Sequence, residues 1–495
     1  MVRFDVTRYG ARGDGVTIDS PAINRAIEAA AAAGGGTVRL PAGTFASYSV
    51  RLRSNVILQL DRGATLLAAA PRDGAGFDHP GRGAGNAYQD FGHSHWRAAL
   101  IWGEDLDHIG IAGPGRIDGA ALVREMGPDS PPGTGDKAIA LRLCRDVDIR
   151  DVTIVRGGHL AILPTGVDRL TIHNVTIDTV RDGINVDCCR DVRISGCTVN
   201  THGDDAIVLK SSYALGRART TERVTITGTT VSGYDPGTRL DGTRQRALPA
   251  APDGDGPTGR IKLGTESTGG FRDIMVSGVV FERCRGLALE TVDGGVLEDV
   301  TVQGVTMREV SNAPIFLRLG ARLRGPAPRR PGRLRRITIS DVTVDGADPR
   351  YPSTIAGLPG HPVEDVRLSG LRVRMRGGLS MTHAAGQPAE LVNPFFFAEP
   401  APRRPYAVPE RARAYPEPSM FGVLPAWAFY VRHATGLRCD DVEIRFSEPD
   451  TRPAIVLDDV HCAQFRRLRL STAGAPAFAL RGVTGFALRD LDTTR

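Results

Sequence analysis

Eight segments of this chain are versions of one pattern, and that repetition constrains the fold more than any other feature. RDVDIRDVTI (145–154), DRLTIHNVTI (168–177) and RDVRISGCTV (190–199) place Ile149, Ile172 and Ile194 at separations of 23 and 22 residues. The pattern returns as ERVTITGTTV (222–231), RDIMVSGVVF (272–281), EDVTVQGVTM (298–307), RRITISDVTV (335–344) and EDVRLSGLRV (364–373). Each version reads as two short β-branched strands broken by Gly, Asn or Asp. Strands this short cannot bury a face alone, whereas coils of about 22 residues stacked on one another form continuous parallel sheets with strands ~4.8 Å apart. The expected fold is all-β: a single-stranded right-handed parallel β-helix, with residues 1–495 forming one domain.

The ends and the interruptions fit that expectation. Ser20 is expected to cap a short helix that starts at Pro21, runs through AINRAIEAAAAA, stops at the glycines of 34–36 and closes the first coil. Insertions near 233–259, 321–333 and 374–427 are expected to wall a cleft, with Phe395, Phe396 and Phe397 of the last one covered. Low aromatic content (6%) beside 59 Gly and 33 Pro describes a turn-rich soluble protein with a core. The net charge of +6 comes without a basic run or a stacked-aromatic module, so nucleic acid is not an expected partner. The seven cysteines have no metal-ligand spacing and read as small apolar filler, so neither structural zinc nor a disulfide is expected. The start, MVRFDVTRYGARGDG, holds no apolar stretch, which argues against a signal peptide or a membrane span. The chain is expected to be cytoplasmic as written, or periplasmic or secreted if a leader was removed.

Chemistry concentrates at THGDDAIVL, where Asp204 and Asp205 stand side by side despite their repulsion. One period earlier, TVRDGINVD carries Asp182. Residues one period apart lie above one another in stacked coils, so the three carboxylates are expected to converge on one outer face. Mutual repulsion should raise the pKa of at least one and leave another ionised. A protonated acid beside an ionised base is what glycosidic bond cleavage requires.

Together with GRIDG (115–119), IKLGTES and FDVTRYGARGDG near the start, these motifs resemble glycoside hydrolase family 28, the polygalacturonase family of right-handed, pectin-lyase-like β-helices. The resemblance runs to at least residue 320. It implies a pectic oligosaccharide substrate, no metal and no other cofactor. It also implies Asp204 as the general acid, Asp182 and Asp205 as the pair that activates water, and inversion at the anomeric carbon.

Three motifs depart from the family. The NTD motif reads Val180-Arg181-Asp182, the GHG motif is best matched by Thr258-Gly259-Arg260, and the carboxylate-binding RIK reads Ala288-Leu289-Glu290. Glu290 should repel a uronate where the family has lysine. Arg181, Lys210, Arg260, Lys262 and Arg318 are candidate compensating cations. A neutral sugar such as rhamnose is the other solution, with Glu266 and Glu290 accepting its hydroxyls. His159 is a candidate for a substrate hydroxyl, and His202 for the role of the missing GHG histidine. In DFGHSHWRAALIWGED, Trp96, beside His93, His95 and Trp102, offers a sugar platform, with core packing as the competing reading. The expected function is an exo-acting, inverting glycoside hydrolase on pectin-derived oligosaccharides of galacturonan or rhamnogalacturonan type. The exo reading rests on the insertions, which would block one end of a groove. The alternatives are an α-L-rhamnosidase or related neutral-sugar exoglycosidase and a non-catalytic carbohydrate-binding β-helix. A calcium-dependent lyase on a similar helix is disfavoured.

Overall fold

The structure, a computed structural model, describes residues 2–81, 87–327, 330–397 and 401–494. Residues 328–329 of the second expected insertion and 398–400 of the third lie outside them. Two compact units account for the chain: Met1–Thr230 with Tyr234–Ala247, and Val231–Gly233 with Leu248–Arg495.

Within the first unit the repeat is a ladder. Ile149 pairs with Ile172, Ile172 with Ile194 and Ile194 with Ile226, in parallel register and fully buried. Ile154, Ile177 and Val199 form a second stack. A third strand per coil, Leu160–Thr165, Asp182–Asp187 and Ile207–Ser211, completes the turn and aligns Ile162, Ile184 and Ile207. Two strands per unit were expected, and the third was not recognised because its outward positions are not consistently polar. Burying each isoleucine contributes ~1.5–3 kcal/mol, so Ile172→Ala should cost ~2–5 kcal/mol by opening a cavity in the stack. This is the right-handed parallel β-helix the repeat predicts.

The polar breaks in the repeat are corners. Asp151 and Asn174 adopt left-handed backbone (φ 62° and 51°), and Gly196 and Gly228 take the same place in the next coils. Asn, Asp and Gly reach that region at least cost, and the Asn174 amide also donates to the Asp151 carboxylate at 2.8 Å. A second left-handed column, Asp146, Arg169, Asp191 and Arg223, pairs its charges from coil to coil on the surface.

The N-terminal helix spans Ser20–Ala32, one residue earlier than expected, with Asp19 rather than Ser20 at the N-cap. The Asp19 carboxylate is taken by the backbone N–H groups of Arg12 and Gly13. Ile23, Ala26, Ile27 and Ala30, spaced three and four apart, form the buried stripe packed on the first strands.

In the second unit longer strands bend through the corner without breaking. Val296–Arg308, Arg333–Ala347 and Val363–Gly377 stack Val300 on Ile337 on Val366. Segment 374–427 packs on this unit. Its phenylalanines divide, against expectation: Phe397 is buried, whereas Phe395 is 69% exposed. Phe395 keeps only an edge contact with Phe396, whose ring stacks on Tyr415. The cysteines are unpaired among the described residues, and all but Cys462 are buried. No helix among the described residues is long and apolar enough to cross a membrane.

Candidate active site

Asp182 opens the strand Asp182–Asp187, and Asp204 and Asp205 occupy the turn that leads into Ile207–Ser211. One carboxylate oxygen from each of the three lies within 4.8 Å of the others. The convergence is as expected, but the register differs by one residue. Ile184 faces Ile207, and the Gly183 N–H donates to the Asp205 carbonyl, so Asp182 stands over Asp205 rather than Asp204. This coil holds 23 residues, and Asp204 is displaced into the turn. There its carboxylate accepts the Asp205 N–H at 3.0 Å, and its carbonyl accepts the Thr201 hydroxyl.

Displacement separates the three environments. Asp182 and Asp205 are each 5% exposed, whereas the Asp204 side chain keeps 28%. Burial pushes the Asp182 carboxyl well above the usual carboxylate range. The Asp204 charge and, more weakly, Asp205 add to this, while Lys210 and Arg181 oppose it. Asn185 is turned towards Asp182: its amide donates to Oδ2 at 2.6 Å and to His93 Nε2 at 3.0 Å.

Arg181 joins the trio to a histidine layer. Nη1 lies 3.1 Å from Asp204 Oδ2, and Nη2 donates to His159 Nε2 at 3.3 Å. Burial disfavours the Arg181 charge, but Asp204 and Asp182 outweigh it, so the group is more firmly cationic than usual. His159 is buried, its N–H donates to the Asp136 carbonyl at 2.7 Å, and its ring sits edge-on to His93. Burial, then the charges of Arg181, Lys137 and Lys210, push its pKa well down, so it is neutral and offers Nε2 as an acceptor. Behind it Asp136 pairs with Lys137, both fully buried. Gly92 makes this packing possible, because a Cβ there would lie 2.9 Å from Asp136 Oδ2 and 3.0 Å from His159 Nδ1. Lys210 stands beside Asp187 in the ladder and acts on Asp182 as well. His202, next to the turn, is buried.

Trp96 is not an open platform. It is 4% exposed among Ala140, Leu160 and Leu163, its indole N–H donates to Thr165 Oγ1, and Arg142 covers its ring. Core packing prevails there.

The remaining candidates belong to the second unit. Lys262 and Glu290 are buried 3.6 Å apart, and Lys262 also donates to the Tyr415 hydroxyl at 3.0 Å and lies over its ring. Arg318 is the ladder neighbour of Glu290. The negative charge expected to repel a uronate therefore has two cations around it. Arg260 makes a bidentate pair with Glu417, and Arg318 donates to the carbonyls of Gly357, Glu410 and Arg411. Both were candidate cations for a substrate carboxylate; in the structure Arg260 and one Nη of Arg318 hold segment 374–427. Glu266 lies 3.2 Å from Arg322.

Sequence reasoning missed Asn185, Asp136, Lys137 and Glu417. Asn185 had a signal, since it lies three residues after Asp182 within a motif already singled out. Asp136 and Lys137 had one too, since Lys137 opens the strand Lys137–Arg142 and pairs with Leu160, which pairs with Asp182; Glu417 alone of the four comes from a segment that no period connects to the repeat.

Residues 82–234 match the sequence model of Glycosyl hydrolases family 28, and residues 3–70 match that of Rhamnogalacturonase A/epimerase, pectate lyase-like. A probable polygalacturonase of Vitis vinifera is 27% identical over 322 residues, covering 61% of this chain and 60% of that protein. The chain thus matches less than two thirds of that relative's length. An exo-poly-alpha-D-galacturonosidase of Dickeya chrysanthemi is 41% identical over 66 residues, covering 13% of this chain and 11% of that one. Among solved structures, the family 28 exopolygalacturonase of Yersinia enterocolitica superposes with a TM-score of 0.62 at 16% identity, covering 98% of this chain and 78% of that one. The exopolygalacturonase of Thermotoga maritima gives 0.59 at 20% identity, covering 76% and 87%. At such identities these two establish the β-helix fold. Residues 82–234, which hold both aspartate motifs, are similar in sequence to glycoside hydrolase family 28.

Proposed function

We propose that the protein hydrolyses O-glycosidic bonds of pectin-derived oligosaccharides, releasing a terminal sugar with inversion. The observation that carries this reading is the convergence of Asp182, Asp204 and Asp205 within 4.8 Å. Asp204, the most exposed of the three, protonates the leaving oxygen. Asp182 and Asp205, buried together, orient water and accept its proton at the opposite face of the sugar. Inversion rests on the similarity to family 28 rather than on the oxygen spacing, because inverting carboxyl groups stand ~6.5–9.5 Å apart and the closest oxygens here are nearer. The exo mode rests on the long insertions.

A second reading, a neutral-sugar exoglycosidase such as an α-L-rhamnosidase, is favoured by Glu290 standing where the family's carboxylate-binding lysine is found. Incubating the protein with galacturonate and rhamnogalacturonan oligosaccharides and with nitrophenyl glycosides, and identifying the sugars set free, separates the two. Galacturonic acid released from chain ends supports the first and rhamnose the second. Loss of polymer viscosity before any monosaccharide appears would contradict the exo mode. Sugar binding with no turnover would point to the non-catalytic alternative.

A further inference from the structure

Arg181 is committed on two sides and unsatisfied on a third. One Nη faces Asp204, the other donates to His159, and the buried Nε has no hydrogen-bond partner among the described residues. The side chain nevertheless keeps 28% of its surface exposed, as Asp204 does. Its position is the middle of a motif in which the family carries no cation. This pairing has a chemical consequence. A guanidinium at 3.1 Å favours the ionised form of Asp204, whereas a general acid must carry a proton. In the free protein this contact therefore works against the protonated form that Asp204 needs for its task.

We propose that Arg181 is a specificity-determining residue that binds the carboxylate of a uronosyl unit, leaving Asp204 as it does so and freeing that carboxyl to take up the proton it donates. The inference rests on the hydrolase reading above and adds the substrate class. Nε and one Nη of a guanidinium present two parallel N–H donors, the fork that fits a carboxylate. A neutral hexose has only hydroxyls, which compete poorly with an ionised aspartate. The proton is already in the site. Burial in this crowded trio, with the Asp204 charge, favours the protonated form of Asp182, so one proton passes from Asp182 to Asp204 as Arg181 departs, with total charge unchanged. Asp182 is then ionised, with Lys210 acting on it to offset Asp205, and accepts the proton of the attacking water. Asp204 returns its own proton to the leaving oxygen. The groups acting on Arg181 and the trio include Lys210 and His159 from this face and Glu125 and Asp90 from the preceding loops.

The test compares wild type with Arg181→Gln and Arg181→Lys on nitrophenyl galacturonide and nitrophenyl galactoside, with melting curves confirming that each variant is folded. For Arg181→Gln, KM for the uronide should rise by ~10-fold or more relative to KM for the galactoside. The alkaline limb of kcat/KM for the galactoside should move up by about one pH unit, because removing a cation lets Asp204 hold its proton longer. Arg181→Lys should fall between, and it carries the test if the glutamine variant does not fold. Unchanged selectivity together with an unmoved alkaline limb overturns the proposal while leaving the hydrolase reading intact. Calorimetric titration with free galacturonate separates the converse case: Arg181-dependent binding in a protein that hydrolyses neither glycoside keeps this inference and sinks the hydrolase.

Discussion

The acidic trio of the first unit and the charge clusters of the second are built from the same residue types on the same kind of coil, yet they are wired in opposite ways. In the second unit, buried acids meet cations in tight sets. Glu417 accepts from Arg260 at 3.0 and 2.7 Å and from Asn312 at 2.9 Å, with Arg285 nearby, and Asp450 and Arg452, both fully buried, are joined by one backbone and two guanidinium hydrogen bonds. In the first, three carboxylates crowd within 4.8 Å of one another, with the Arg181 guanidinium 3.1 Å from Asp204. Paired charges fix a loop and resist titration, whereas crowded like charges keep a proton mobile. On the function proposed above, the contrast separates charge used for stability from charge used for chemistry.

Replacing the acids should separate the two most strongly. Asp204→Asn is expected to lower kcat by ~10²–10⁴-fold while leaving the thermal midpoint in place, read by sugar release and calorimetry. An unchanged rate would mean that the trio is wired like the second unit. Glu417→Ala should do the reverse. It strands Arg260 and Arg285 and should cost ~3–5 kcal/mol in denaturant unfolding. Loss of activity without loss of stability there would break the comparison.

pH sharpens it further. Because burial and the Asp204 charge raise the Asp182 pKa, folding favours its protonated form. Asp182 therefore costs nothing below the ordinary carboxylate range of ~4, and its penalty grows as pH rises towards the folded value. Asp182→Asn should raise the denaturation midpoint at pH 7 and leave it nearly unchanged at pH 4. A gain that persists at pH 4 would mean that repacking rather than charge is responsible. The smallest effect is expected at His433, which lies 2.6 Å from Asp459 and 3.2 Å from both oxygens of Glu410. Partial burial works against its charge, but these acids win and its pKa is raised. The stabilisation is full below the ordinary histidine value of ~6.5 and is lost as pH rises through the raised one. His433→Gln should lower the melting temperature at pH 6 and hardly at pH 9, and equal losses at both would assign the effect to packing.

What was legible in the sequence follows the same division. The ladder could be read because Ile149, Ile172 and Ile194 recur at the coil length, and the trio because two of its members share that period. The one-residue shift of Asp204 could not, since a coil of 23 residues looks like one of 22 until its pairing is seen. Trp96 illustrates the limit of composition: an aromatic near a suspected sugar site has the same letter whether its ring lies open or, as here, under Arg142. The partner of Arg260 arrives from residue 417 through a segment without periodicity, so only the folded chain brings the two together.

The central claim is that carboxylates of neighbouring coils act together as acid and base on one glycosidic bond. The most direct measurement is proton NMR of the anomeric signal in the first minutes of cleavage of an α-linked galacturonate oligomer, with wild type and Asp204→Asn in parallel. The account predicts a β-anomer that mutarotates slowly in the wild-type sample and no product in the variant; an α-anomer at first appearance, or an unsaturated product, would contradict it.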